Sequence, residues 1–215
     1  GFSSRSQGYG LTLQQASKAI EGLGIFSLDE GVVSTRHVVH NSEGKIIGEW
    51  GLRKWKKLFI ERTTKRKNVH IARQTLRLLL LQALGDSKRV RWGHTLTHIS
   101  PTNSDAIELT FQVGKNQETA QADLVVGADG IHSVVRKLIL KEEETPLQYL
   151  GCIVILGICS LKSLRTITSP LLDSATVFQT VNGNERIYVM PFDKERIMWQ
   201  LSFPMTEEEA IALSE

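Results

Sequence analysis

Cysteine is scarce: the 215-residue chain has only Cys152 and Cys159. Two thiols cannot build a disulfide framework, nor can they alone supply the four ligands of a structural zinc site. Both fall in one predicted strand, too far apart along it to pair, and they read as small buried hydrophobes. Long apolar runs are also missing. The longest, Leu78–Leu81 and Ile153–Ile158, fall well short of the roughly 18–20 residues of a membrane-spanning helix. There is no Gly-x-Ser-x-Gly elbow and neither cysteine has a base beside it, so nothing supports nucleophilic catalysis. The histidines at 37, 40, 70, 94, 98 and 132 do not suggest a metal site. His94 and His98 share a face of a predicted strand, but that spacing holds them too far apart to chelate.

What remains is an ordinary globular composition, 41% hydrophobic and 23% charged, with a length that allows one large domain or two small ones. The formal net charge of +3 hides an uneven distribution. Arg53–Lys67 contains eight basic residues against Glu61 alone, a local +7, which leaves −4 for the rest of the chain. Trp55 and Phe59 interleave with those cations, a pattern that can bind nucleic acid or an anionic surface. The chain opens on Gly1 and stops at Ser214-Glu215 within a predicted helix, which reads as a segment of something longer.

The apolar spacing predicts a helix over residues 12–23, capped by Thr12 and closed by Gly24, and a second over 71–84 closed by Gly85. Strands are expected at 32–40 and 45–51, joined by a turn at Asn41–Gly44, then at 90–99 and 107–113. The unbroken apolar run Ala122–Val126 reads as a short buried parallel strand, leading through Gly127–Gly130 into a helix over 133–140. Beyond it the style changes to antiparallel strands at 149–158, 175–181, 186–192 and 196–203. Asn182-Gly183-Asn184 is a tight turn, and Thr206–Glu209 has the form of a capping box. The expected fold is mixed α/β. Residues 1–145 would form one part and residues 146–215 an antiparallel sheet, which the 32–51 hairpin can join.

The chemistry concentrates in Asp123–Arg136. A buried strand, a Gly-bracketed turn and a helix start capped by Ser133 would leave backbone N–H groups open to an anionic or polar ligand. Gly127 and Gly130 let the chain turn sharply and a ligand approach. Two roles stand open for Asp129: contact with the ligand edge through water or hydroxyls, or stabilisation of the turn and helix dipole.

This stretch resembles the Asp-Gly motif of the p-hydroxybenzoate hydroxylase-like, single-component FAD-dependent monooxygenases. Asp129, Gly130, Ser133 and Arg136 match its positions, and the resemblance implies that they lie against FAD and the NAD(P)H path. Arg73-Gln74-Thr75-Leu76 resembles the family's Arg-x-x-Leu helix start, which implies an FAD contact for Arg73; a guanidinium fork there could hold a phosphate. Arg5–Leu11 resembles the segment after the second strand of the FAD-binding sheet, where Arg5 would approach the cofactor.

By this resemblance residues 1–145 are part of a Rossmann-like FAD-binding domain and residues 146–215 part of a substrate-binding domain. The implied reaction uses FAD, NADH or NADPH, and O2 to hydroxylate or epoxidise a small organic substrate; the catalytic residues stay unassigned. The family's Gly-x-Gly-x-x-Gly turn, its ribose-binding acid and its Gly-Asp-Ala motif do not occur in this chain, so the chain corresponds to the family's middle. The first motif is expected within about 40 residues upstream. Alternatives are a halogenase or reductase of the same fold, although no Trp-x-Trp motif is present, or a basic binding module built on Arg53–Lys67.

Overall fold

The computed structural model describes residues 9–14, 16–51, 68–103, 105–140, 144–164 and 166–213. It is a mixed α/β fold, as expected, with strands in three sheets. Among the described residues Asp86–Gln148 forms one compact unit, while the chain up to Gly85 and from Tyr149 onward forms another. The break at 85/86 has no counterpart in the linear reading, because it depends on early and late strands sharing a sheet.

The discontinuous unit contains two sheets. In the first, β1 (Gly10–Leu13) and β2 (Val32–Ser34) flank β5 (Asn68–Ala72), both antiparallel to it. One face of this sheet is apolar. Leu13, Val69 and Ile71 pack there with Ile20 of α1 (Ala16–Gly22) and Leu76 of α2 (Arg73–Ala83). The helix predicted from Thr12 therefore begins later. Leu13 points into this core while Thr12 faces the other side, the alternation of a strand, and Thr12 caps no helix. Likewise Asn68–Ala72 belongs to β5, and α2 starts at Arg73.

The second sheet runs β4-β3-β10-β11-β12-β9. Its members are β3 (Arg36–His40), β4 (Ile46–Trp50), β9 (Cys152–Ser160), β10 (Thr176–Asn182), β11 (Glu185–Pro191) and β12 (Arg196–Pro204). The strand predicted at 32–40 is thus two strands. At Thr35, whose N–H donates to the Ala175 carbonyl at 2.8 Å, the chain leaves β5 and joins β10 in parallel. The 36–50 hairpin accordingly lies in the same sheet as the late strands. Val177, Met190, Phe192 and Met198 form this sheet's core, and Ala72 packs against it. The two sheets meet closely at Gly10, whose N–H lies 3.3 Å from Met198 Sδ. Cys152 and Cys159 are free and half-buried on β9.

Gly157 of β9 stands opposite Trp199 of β12, and a Cβ at Gly157 would overlap the indole ring. Gly157→Ala should therefore cost about 1–3 kcal/mol of stability through overpacking. A shift in the urea midpoint at unchanged slope is the expected reading, and a parent-like midpoint would show that Trp199 gives way freely.

The continuous unit holds β6 (His94–Pro101), β7 (Ile107–Val113) and β8 (Asn116–Ala122) in an antiparallel meander, followed by α3 (Val134–Ile139). Two expectations fail here. The sequence NQETAQA of β8 is too polar to announce a strand, yet all seven residues pair with β7. Conversely, of the strand expected over Ala122–Val126 only Ala122 is in a strand. Leu124 and Val126 are 77% and 75% exposed, because a strand needs a hydrogen-bonded neighbour to form and no described strand pairs with this one. A final helix, α4 (Glu207–Ala212), starts with the expected reciprocal capping box between Thr206 and Glu209.

Candidate cofactor site

Residues 127–136 form a self-contained turn and helix start. Gly127 lies against the helix; a Cβ there would sit 2.9 Å from a Val135 methyl, so only glycine lets the turn pack so closely. Gly130 has φ +85°, a left-handed conformation that favours glycine, and open space where a side chain would stand. Ser133 caps α3 as expected, its Oγ accepting the Arg136 N–H at 2.9 Å. Arg136 Nη2 donates to the Ile131 carbonyl at 2.5 Å, tying the loop to the helix.

Asp129 is bound more fully than the sequence implied. Its Oδ1 accepts from Ser133 Oγ at 2.5 Å, and its Oδ2 accepts from the N–H groups of Val134 at 2.7 Å and Val135 at 3.1 Å. The Ser133 hydroxyl first, then the Val135 N–H, hold the carboxyl below the usual carboxylate range. The open N–H groups expected at this helix start are consequently taken, at Val134 and Val135 by Asp129 and at Arg136 by Ser133. The stretch suits a rigid platform whose accessible edge is the exposed backbone around Gly130, not a cradle for an anion.

Arg73 is arranged differently. It opens α2, an 11-residue helix whose N-cap, Ala72, makes no side-chain capping bond. Its backbone N–H donates to the Tyr9 carbonyl at 3.0 Å, which fixes the helix start against the segment entering β1. The Arg73 side chain is exposed and meets no carboxylate among the described residues. A guanidinium with no carboxylate partner among the described residues, at a helix start with no side-chain cap, places two sources of positive potential together.

Asp129, Gly130, Ser133 and Arg136 thus form one hydrogen-bonded group, while Arg73 belongs to the other unit. Arg5 and the basic stretch Arg53–Lys67 lie outside the described residues. The described residues contain no group of three side chains suited to a metal. His94 Nδ1 bonds the Trp92 carbonyl at 3.0 Å, and its Nε2 lies 3.4 Å from Glu118 without a hydrogen bond. The sequence reading missed Thr12, His37 and His70, which gather at the polar face of the first sheet. The sequence places Thr12 at a helix cap and a helix start at 71, and weighs His37 and His70 only as metal ligands.

The sequence matches the FAD binding domain family over residues 21–211. It is 32% identical over 136 residues to the FAD-dependent monooxygenase subE of Metarhizium robertsii, a match covering 60% of this chain and 41% of that protein. Among solved structures, Klebsiella pneumoniae HpxO complexed with FAD and uric acid superposes with a TM-score of 0.73 at 20% identity, covering 95% of this chain and 49% of that one. Pseudomonas aeruginosa PqsL in complex with 2-aminobenzoylacetate gives 0.71 at 19% identity, covering 98% and 53%. The chain spans about half the length of these relatives, and the structural likenesses establish a shared fold.

Proposed function

The chain belongs to the FAD binding domain family, and from that premise we propose that the protein is an FAD-dependent monooxygenase acting on a small organic substrate with NADH or NADPH and O2. The relative named as an FAD-dependent monooxygenase supports the activity. The complexes with uric acid and 2-aminobenzoylacetate support a compact organic substrate. When bound, FAD supplies the redox chemistry and the activation of oxygen, while the protein supplies position and exclusion of water.

The observation that carries the reading is the exposed guanidinium of Arg73, which meets no carboxylate among the described residues and stands at the start of α2, where no side chain caps the helix; it fits a phosphate of FAD. In the same reading Gly130 admits the cofactor edge, with Asp129, Ser133 and Arg136 holding that turn rigid; Arg5 is a further contact. Residues 1–145 apart from the 36–50 hairpin are then assigned to the FAD side, and the late strands with that hairpin to the substrate side.

Arg73→Ala should weaken FAD binding about tenfold or more, the loss of one charge-assisted contact, with the helix unchanged by circular dichroism. Asp129→Ala should instead slow flavin reduction by NAD(P)H more than it weakens FAD binding, since it loosens the turn without removing a phosphate ligand. Flavin fluorescence titrations and stopped-flow reduction read the two effects. Parent-like FAD affinity in Arg73→Ala would remove the assignment on which this reading stands.

A further inference from the structure

His70, at the centre of β5, is completely buried. It lies on the face of the first sheet opposite Val69 and Ile71, in register with Thr12 of β1 and Val32 of β2. Its Nδ1 shares a hydrogen bond of 2.9 Å with Thr12 Oγ1, while its Nε2 has no partner. Buried polar atoms are rarely left so, and an unpaired acceptor is tolerated more readily than an unpaired N–H. The ring that fits is neutral, with its hydrogen on Nδ1 donated to Thr12 and a bare lone pair on Nε2.

A second proton would have nowhere to bond. His37 stands close by, its own Nε2 3.3 Å from Ser34 Oγ and 3.4 Å from Asn68 Nδ2, and it already disfavours a charge on His70. β1 and β2 contain no ionisable side chain. β3 brings Arg36, His37 and His40; Arg36 is paired with Glu49 of β4 at 2.8 Å. α2 brings Arg73 and Arg77, the latter bonded to Gln74, and β11 brings Glu185, Arg186 and Tyr188. Of the two carboxylates among these groups, Glu49 is engaged by Arg36 and Glu185 accepts from Asn182 Nδ2 at 3.4 Å.

The Thr12–His70 bond lies two positions along the ladder from Gly10–Ala72, next to the Tyr9 carbonyl that accepts the Arg73 N–H. We propose that His70 is a pH-sensitive latch: its neutral ring clasps β1 to β5 through Thr12, and protonation loosens β1 and with it the setting of Arg73. The consequence for the cofactor rests on the reading of Arg73 given above, whereas the latch does not.

Amide hydrogen exchange of the 215-residue protein, corrected for intrinsic rates, tests it from about pH 7.5 to about pH 5. Protection of residues 11–13 and 69–73 should fall by up to about tenfold per pH unit, the limit for one proton, while the β6–β7–β8 meander keeps its protection. His70→Asn, which can still bond Thr12 but takes no proton, should keep only the shallower slope that His37 contributes; His70→Leu should show that same shallow slope at lower protection. A flat parent profile, or one in His70→Asn as steep as the parent's, would overturn the proposal. Histidine nitrogen NMR of the unsubstituted protein provides a second check: a doubly protonated His70 at neutral pH would also overturn it. Unchanged FAD affinity in Arg73→Ala beside a steep exchange profile would remove the Arg73 reading and leave the latch standing.

Discussion

Ile71→Ala should remove about 2–5 kcal/mol of unfolding free energy, the range for deleting a fully buried aliphatic side chain and leaving a cavity. Ile71 is 0% exposed at the middle of β5, with Leu13, Val69, Ile20 and Leu76 around it. Its neighbours come from two strands and two helices, so no single element can move in to fill the space. Leu78→Ala on α2 is the control, since Leu78 is 44% exposed and its loss should stay within about 0.5 kcal/mol. Chemical denaturation of the two variants decides. Equal losses would mean that the first sheet and its helices do not form the core described.

Acid should destabilise the protein by about 3 kcal/mol between the ordinary histidine pKa of 6.5 and the value of about 4 to which burial, and then the neighbouring His37, lower His70. The sign follows from proton counting. In that window the unfolded chain holds a proton on His70 that the folded chain refuses, so stability is complete above 6.5 and is lost as pH falls toward 4. Burial lowers the His37 pKa as well and adds in the same direction. The carboxylates of Asp129, Asp193 and Glu209 are held below their usual values, so their own losses come at lower pH. Urea midpoints of the parent and His70→Asn across this window should converge in acid. A parent whose stability is level from 6.5 to 4 would show that His70 is protonated without penalty.

Parts of the site are visible in the sequence because they are local. Asp129, Gly130, Ser133 and Arg136 satisfy one another within a single turn, so their types and spacing suffice to place the turn and the Ser133 cap. The same spacing could not reveal that Asp129 takes up the helix-start N–H groups itself, since a carboxylate near a helix start can face inward or toward a ligand. Arg73 was recognisable as a candidate, but that no carboxylate of the described residues reaches it depends on side chains from elsewhere in the chain.

Local chemistry alone determined the Asn41–Gly44 and Asn182–Asn184 turns, the Thr206–Glu209 capping box and the antiparallel run of late strands, because each depends on residues a few positions apart. Tertiary structure decided the rest. The break at Thr35 exists because Ala175, 140 positions away, offers the carbonyl that its N–H takes. β8 is a strand because β7 supplies a partner for every residue of a polar sequence. Residues 124–126, the most strand-like in composition, stay unpaired because no described strand lies beside them. Thr12 reads as a helix cap until β5 draws it into a sheet, and His70 reads as an ordinary polar residue until two strands and a second sheet close over it. Hydrogen bonds and burial between distant segments override local preference, and no pattern within a short window records them.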